Sequence, residues 1–212
     1  MGFTESASWH GVVPDSFRQF RARQPDAELQ LYPSASLEQV DAVRSRRLDA
    51  GFVFSMPKSD LDLDQMLVAI HHLVLAVPKG HPLTKIRRLR LRNIGDTPFV
   101  WFPRRQSPDY YDRLMKACFR GGLKTLNIIQ EVTEPATMLS LVSCGIGVAF
   151  VSAATRWRCP TGVVLLSVED LNLQLPMPLV WRKDNASPLL AKFVADVQLL
   201  PEVRALKAPK PA

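Results

Sequence analysis

An alternation of strand-like and helix-like segments occurs twice along the chain, once in residues 1–54 and once in residues 98–151. In each copy the order is strand, helix, strand, helix, strand, judged from short apolar runs and from apolar residues at helical spacing. Alternation of this kind favours parallel strands joined by right-handed helical crossovers. The sequence therefore predicts an α/β fold of two similar lobes.

Each element of the first copy corresponds to a short segment. In order, we predict a strand at residues 2–4, a helix carrying Val13, Phe17 and Phe20, a half-buried strand at 28–32, a helix from Ser36 and a buried strand at 50–54. Ser36 and Gln39 have the spacing of a capping box, in which the serine hydroxyl binds a backbone N–H in the first helical turn. We therefore expect Ser36 to cap the second helix.

The remaining elements follow the same logic. Two apolar runs, residues 66–70 and 73–77, favour one long strand that crosses between the lobes. The second copy predicts strands at 99–102, 126–130 and 148–151, with helices from Ser107-Pro108-Asp109 to Gly121-Gly122 and from Thr133-Glu134-Pro135 to Gly145. Strands at 163–166 and 179–181, a helix capped by Ser187 and a frayed tail after Leu200 complete the prediction.

The composition is typical of a globular protein, with 47% hydrophobic and 22% charged residues. No stretch approaches the roughly 18 apolar residues of a membrane span, and residues 1–5 lack the features of a signal peptide. We therefore expect a cytoplasmic protein with no membrane partner. Its three cysteines are expected to be reduced, with Cys118 and Cys144 buried on apolar helical stripes.

The net charge is +7, and the densest group of cations lies in residues 85–92. No aromatic residue is interleaved there to stack on bases, and no helix-turn-helix spacing surrounds the run. It is interpreted as a solvated connector, with a patch that contacts DNA as the alternative.

The sequence lacks the short motifs that identify common enzyme sites: G-x-S-x-G, the P-loop, H-E-x-x-H and G-x-G-x-x-G. His71 and His72 are adjacent, so in a strand their rings point to opposite faces and cannot bind one metal together. Alternate aspartates in residues 60–64 resemble the start of a calcium loop, but Gln65 replaces the required glycine. We therefore expect no enzymatic activity, no metal and no cofactor.

Four turns follow predicted strand ends, at residues 4–11, 33–36, 103–107 and 133–137. In open α/β sheets ligands bind outside the carboxyl ends of the strands, where helix N-termini present free N–H groups. If the two lobes face each other, these turns meet at one cleft suited to a small anion. The expected hydroxyl donors are Ser6, Ser8, Ser36 and Thr133, and the expected apolar walls are Trp101, Phe102 and Met138. Helix capping and core packing are the alternative roles of these residues.

Four short segments are spread along nearly the whole chain: Gly2-Phe3-Thr4-Glu5-Ser6, Leu48-Asp49-Ala50-Gly51-Phe52, His81-Pro82-Leu83 and Leu141-Val142-Ser143-Cys144-Gly145-Ile146-Gly147-Val148. In this order they resemble segments of the effector-binding domain of LysR-type transcriptional regulators. Each segment is short, and their order and spacing together carry the resemblance.

The resemblance implies a fold like the type II periplasmic binding proteins, with two Rossmann-like lobes joined by a two-strand hinge. Lobe I is expected to contain residues 1–70 and 175–212, and lobe II residues 71–174, with hinges near Ile70-His71 and Gln174-Leu175. By position, the effector-binding residues correspond to Ser6, Ala7, Ser36, Trp101, Phe102, Pro103, Arg104, Thr133, Met138 and Phe150.

The resemblance further implies a small-molecule effector, a carboxylate or an aromatic acid, bound between the lobes. The signal is expected to reach promoter DNA through changed lobe orientation and subunit packing in a dimer or tetramer. The winged helix-turn-helix of the family is expected to lie outside residues 1–212. The alternative is the solute-binding protein of a transporter, which has the same architecture, and a dimeric mass in solution would favour the regulator.

Overall fold

The computed structural model describes residues 1–9, 11–54 and 60–207. Its strands are β1 (Gly2–Phe3), β2 (Tyr32–Pro33), β3 (Ala50–Phe52), β4 (Leu63–Pro78), β5 (Pro98–Trp101), β6 (Asn127–Glu131), β7 (Ala149–Ser152), β8 (Val163–Leu166) and β9 (Gln174–Arg182). Its helices are α1 (Val12–Arg23), α2 (Ser36–Arg44), α3 (Pro108–Arg120), α4 (Pro135–Ser143), α5 (Pro188–Leu199) and α6 (Pro201–Lys207). This order confirms the predicted alternation, and β4 confirms that the two apolar runs form one strand.

The chain divides into two compact units. Unit 1 contains Met1–Ile70 and the described residues from Pro176 onward, and unit 2 contains His71–Leu175. Strands β4 and β9 each run from one unit into the other.

The sheet of unit 1 has β1 between β2 and β3, parallel to both, and β3 antiparallel to β9. Helix α2 packs on this sheet through Gln39, which is completely buried. A side chain on Gly2 would lie 2.8 Å from Gln39 Oε1, and one on Gly51 would lie 2.7 Å from it. Glycine at these two positions therefore permits the close approach of α2 to the sheet.

Aromatic rings form the centre of the unit 1 core. Phe20 on α1 and Phe193 on α5 meet edge to face with ring centroids 5.3 Å apart, and Phe17 meets Phe52 on β3 at 6.0 Å. This edge-to-face geometry is favourable because the positive rim of one ring lies against the negative face of the other. The rings therefore join α1 and α5 to the sheet.

In unit 2, β4 pairs antiparallel with β7 and β8, and β5 pairs parallel with β6. The backbone of β5 also approaches the start of β7, where the N–H of Val148 donates to the oxygen of Pro98 at 2.8 Å. A side chain on Gly147 would lie 2.6 Å from that same oxygen. Glycine is therefore needed where these two segments meet.

Helix α3 ends as the Gly121-Gly122 pair predicts. Gly122 has a φ of 92°, and the N–H of Leu123 donates to the oxygen of Cys118 at 3.1 Å. Left-handed glycine and this hydrogen bond together satisfy carbonyl groups that the helix leaves free. The predicted left-handed C-cap is therefore confirmed.

Two expectations for the sheet of unit 1 are wrong. Strand β2 contains only Tyr32 and Pro33 instead of residues 28–32, because it is exposed at the sheet edge and its partner β1 has two residues. Ser36 does not cap α2: the residue before the helix is Ala35, and the Ser36 hydroxyl instead accepts a hydrogen bond from the N–H of Phe54.

The prediction of a frayed tail after Leu200 is also wrong for residues 201–207. Residues 201–207 form α6, and Val203 is completely buried in the core of unit 1. Helices α5 and α6 are separated at Leu200, and Pro201 occupies the first position of α6, where proline is well tolerated. Burial of Val203 thus stabilises the first part of a tail whose composition, with three prolines and two lysines in residues 201–212, favours disorder.

Of the predictions for helix cysteines and serines, some are confirmed and others are wrong. Cys118 is buried, and burial raises the pKa of its thiol to about 12. Cys144 is exposed, contrary to expectation, because it follows the last turn of α4. Ser107 precedes α3 as predicted but makes no side-chain cap, whereas the Ser187 hydroxyl accepts from the N–H of Leu190 at 3.4 Å.

Candidate functional site

The carboxyl ends of β1, β2 and β3 lie at one edge of the unit 1 sheet because the three strands are parallel. The N–H of Ser34, just after β2, donates to the oxygen of Phe3 at the end of β1, at 3.0 Å. The turns after these strands are therefore held side by side, which is where ligands bind in sheets of this type.

Ser36 links two of these turns. Its buried hydroxyl accepts from the N–H of Phe54, at the end of β3, at 2.9 Å, and Gln39 donates from Nε2 to the oxygen of Ser34 at 2.8 Å. A hydroxyl that accepts one hydrogen bond still has its own proton to donate. Ser36 therefore combines a structural bond with a free donor.

The turn after β1 supplies further hydroxyl groups. Ala7 is buried and its N–H donates to the oxygen of Thr4 at 3.0 Å. Thr4 Oγ1 is buried without a hydrogen-bond partner among the described residues. Ser6 is half-buried, and within the same described part of the chain its hydroxyl contacts no polar partner. The Ser6 hydroxyl can therefore donate to a bound molecule, whereas the Thr4 hydroxyl has no accessible surface.

Unit 2 contains a cavity of about 340 Å³ at the carboxyl ends of β5 and β6, beside the start of α4. It is lined by Pro103, Arg105, Glu131, Val132, Thr133, Glu134 and Thr137. The turn after β5 is fixed to the turn after β6 because Gln106 Nε2 donates to the oxygen of Thr133 at 2.9 Å. The volume is at the lower end of small-molecule pockets.

Two neighbouring arginines differ in their contacts. Arg104 binds Asp112 through two hydrogen bonds, 2.8 Å from Nε and 2.6 Å from Nη2, and its hydrogen bonding lowers the pKa of the Asp112 carboxyl. Arg105 lines the cavity together with Glu131 and Glu134. The lining therefore offers a cation that can bind a carboxylate and two acids that can accept from hydroxyl or amino groups.

The predicted apolar residues of unit 2 form an aromatic cluster. Trp101 is 1% exposed and meets Phe150 edge to face at 6.1 Å, while Phe102 stacks on Trp101 at 5.8 Å and on Tyr110 at 5.0 Å. Met138 is buried on α4. These four predicted residues pack within unit 2, and for Trp101, Phe102 and Met138 this is the core-packing alternative.

The structure brings Pro103 and Thr133 together at the cavity and Ser6, Ala7 and Ser36 at the strand ends of unit 1. The convergence of the two sets of turns on one cleft stays a prediction. Arg105, Glu134 and Thr137 lie in turns that the sequence singled out, but they were not chosen individually. Glu131 and Val132 were missed, and the signal that could have identified them is their position directly at the carboxyl end of β6.

Among the described residues no three His, Cys, Asp or Glu side chains lie close enough to hold a metal ion. None of the helices in that part of the chain is long and apolar enough to cross a membrane.

Comparison with known proteins identifies relatives along most of the chain. The family profile of the LysR substrate binding domain matches residues 1–198. The HTH-type transcriptional regulator AlsR of Bacillus subtilis is 27% identical over 194 residues, and the HTH-type transcriptional regulator IlvR of Caulobacter vibrioides is 30% identical over 192 residues. The matches cover 92% and 90% of this chain but only 63% of each regulator.

Solved structures of the same fold are also similar. The effector binding domain of BenM with benzoate has a TM-score of 0.82 at 23% identity, covering 99% of this chain and 94% of that chain. The effector binding domain of QuiR with shikimate has a TM-score of 0.80 at 19% identity, covering 92% of each chain. These likenesses confirm the predicted type II periplasmic-binding-protein-like fold.

Proposed function

The chain belongs to the LysR substrate binding domain family, and from this membership we propose that it is the ligand-sensing domain of a bacterial LysR-type transcriptional regulator. Its curated relatives are transcriptional regulators, which supports a regulator over an enzyme or a transport receptor. We infer that the parent protein binds promoter DNA in the cytoplasm through a domain outside residues 1–212, and that it forms a dimer or tetramer.

The observation that carries the ligand-sensing role is the cavity at the strand ends of unit 2. Arg105 and the hydroxyl of Thr133 can donate to a carboxylate, and Glu131 can accept from a hydroxyl group on the same ligand. In unit 1, Ser6 and Ser36 supply hydroxyl donors at the corresponding strand ends. The proposed effector is therefore a small organic acid, as are the benzoate and shikimate of the BenM and QuiR complexes.

The proposed coupling to DNA follows from linkage. An effector can change promoter binding only if it binds one conformational state of the regulator more tightly than another. Self-association of the chain provides a first check, because a dimer by sedimentation equilibrium supports the regulator. A monomer at all concentrations would instead favour a transport receptor.

Thermal unfolding with a panel of benzoate, shikimate, succinate, glucose and methyl benzoate tests the effector class. A ligand at about one hundred times its Kd stabilises the folded state by about 2.7 kcal/mol. We expect one of the acids to raise Tm. Glucose and the uncharged methyl ester should leave it unchanged, and stabilisation by either of these alone would overturn the carboxylate assignment.

Two variants test where the effector binds. Thr133→Val removes a hydroxyl from the cavity, and Ser6→Ala removes a hydroxyl that contacts no described partner. Both should reduce the ligand-induced shift. Ser16→Ala is the matched control, because that buried hydroxyl binds the oxygen of Val12 within α1. An equal shift in all three variants would overturn the site while leaving the family role intact.

A further inference from the structure

The connector that follows β4 carries five cations in eight residues: Lys85, Arg87, Arg88, Arg90 and Arg92. Leu89 and Leu91 alternate with the last three cations and are buried, 3% and 0% exposed. The leucines therefore anchor the connector in unit 2 and leave the charged side chains at the surface.

The backbone of the connector is fixed by a second segment. The N–H of Glu169 donates to the oxygen of Leu89 at 2.9 Å, and the N–H of Leu91 donates to Asp170 Oδ1 at 2.9 Å. The Glu169 carboxylate also binds Arg88 at 2.7 Å and Arg90 at 3.4 Å. Two of the five cations are thus paired, and the others are held on a rigid support.

Arg92, one of the unpaired cations of the connector, lies beside the end of α3. Leu91 packs against Gly121, and a side chain on Gly122 would lie 3.6 Å from Cβ of Arg92. Arg120 and Lys124 flank this glycine pair and are exposed. Lys85, Arg87, Arg92, Arg120 and Lys124 are called the basic surface below, and none of them has an ion-pair partner within the described residues.

We propose that the basic surface binds the phosphate backbone of duplex DNA. Protein interfaces usually need an apolar core, whereas along the connector and the end of α3 the exposed large apolar side chains are Ile86 and Phe119, at 37% and 47% exposure. Single strands are bound by stacking of successive bases on aromatic rings, and the connector has no aromatic residue, with Phe119 a single ring beside Arg120. Exposed, unpaired cations on a rigid support are sufficient for phosphate contacts, which do not depend on base sequence.

This contact is made by the chain itself and needs no effector, so it goes beyond the proposed sensing role. Its energy is electrostatic and arises from release of the counterions that DNA condenses, so binding must weaken as salt rises. Failure of DNA binding would leave the ligand-induced thermal shifts untouched, and the two proposals can be judged separately.

The test is fluorescence anisotropy of a labelled, sequence-scrambled duplex of about 30 base pairs titrated with the chain, between about 50 and 200 mM salt. The surface variant is Arg92→Glu with Lys124→Glu. The control is Arg21→Glu with Arg204→Glu, which makes the same change in net charge at two exposed cations of unit 1. Thermal unfolding of each variant verifies that it is folded.

We expect wild type to bind with a linear dependence of log K on log salt. Loss of two phosphate contacts should reduce the magnitude of that slope by about 1.8 in the surface variant and by nothing in the control. Absence of binding at about 50 mM salt, or equal weakening in both variants, would overturn the proposal. Displacement of the duplex by poly-glutamate at equal charge would overturn it in favour of an acidic protein partner.

Discussion

Unit 1 and unit 2 share the alternation of strands and helices but use their strand-end turns differently. In unit 1 two polar side chains bind the backbone of neighbouring turns, Ser36 that of Phe54 and Gln39 that of Ser34. In unit 2 the turns border a cavity whose Arg105 and Glu131 side chains have no ion-pair partner in the described part of the chain. The same topology thus gives strand-end turns that are fixed by side-chain hydrogen bonds in unit 1, and strand-end turns that carry charged side chains at a cavity in unit 2.

The cores of the two units differ in a related way. Both units contain aromatic clusters, but in unit 1 the rings of two helices meet Phe52 of the sheet, whereas in unit 2 two strand segments also come into close backbone contact at Pro98 and Gly147. Side-chain packing can relax around a substitution more easily than backbone can. This contrast leads to four predictions with decreasing effects on stability.

Phe193→Ala should have the largest effect, because its ring meets those of Phe17, Phe20 and Phe52. Removing a buried phenylalanine costs about 3–5 kcal/mol. Urea unfolding should show this loss, with Phe119→Ala as the control, since Phe119 is 47% exposed and its removal should cost under about 1 kcal/mol. Similar losses in the two variants would mean that the aromatic cluster does not hold unit 1 together.

Gly147→Ala should cost more than Gly51→Ala. Overpacking typically costs about 1–3 kcal/mol, and we place Gly147 at the upper end because the new methyl group meets the backbone oxygen of Pro98. At Gly51 it meets Gln39 Oε1, a side-chain atom that can shift at the expense of the hydrogen bond from Gln39 Nε2 to Ser34, whereas a backbone oxygen is fixed by its strand. Calorimetric Tm values provide the comparison, and equal costs would show that Gln39 is as rigid as the backbone of β5.

Local patterns in the sequence predicted the parts of this architecture that local chemistry decides. The Gly121-Gly122 pair ends α3 because left-handed backbone is easy for glycine, whatever surrounds it. Ser36 was misread for the opposite reason. Its partner Phe54 is 18 residues away, so the capping-box spacing to Gln39 carries no information about it.

The cavity shows the same limit. Arg104 and Arg105 are adjacent, and nothing in their spacing tells which one lines the pocket. Asp112, on α3, binds Arg104, whereas Arg105 lines the cavity. The strand-end rule located the turns, and the choice of side chain required the tertiary structure.

Ser36→Ala tests whether the bond between the strand-end turns of unit 1 is structural. The substitution removes the hydroxyl to which the N–H of Phe54 donates, and loss of such a hydrogen bond costs about 0.5–1.5 kcal/mol. Ser6→Ala should change stability by less than about 0.5 kcal/mol, because its hydroxyl contacts no described partner. Faster amide exchange at Phe54 in Ser36→Ala alone would support this assignment, and unchanged exchange would contradict it.

The smallest expected effect is a pH response of unit 2 at His71. This ring is half-buried with Nδ1 2.9 Å from Ser152 Oγ, and burial, followed by the charge of His72, lowers its pKa below the ordinary value of 6.5. As pH falls through about 6.5, the unfolded chain therefore takes up a proton that the folded chain does not, and stability decreases until the lowered pKa is passed. Unfolding midpoints measured across this window should fall less in His71→Asn than in wild type. Because burial also lowers the pKa of His81, His81→Asn is the comparison, and an equal pH dependence in wild type and His71→Asn would show that the response arises elsewhere.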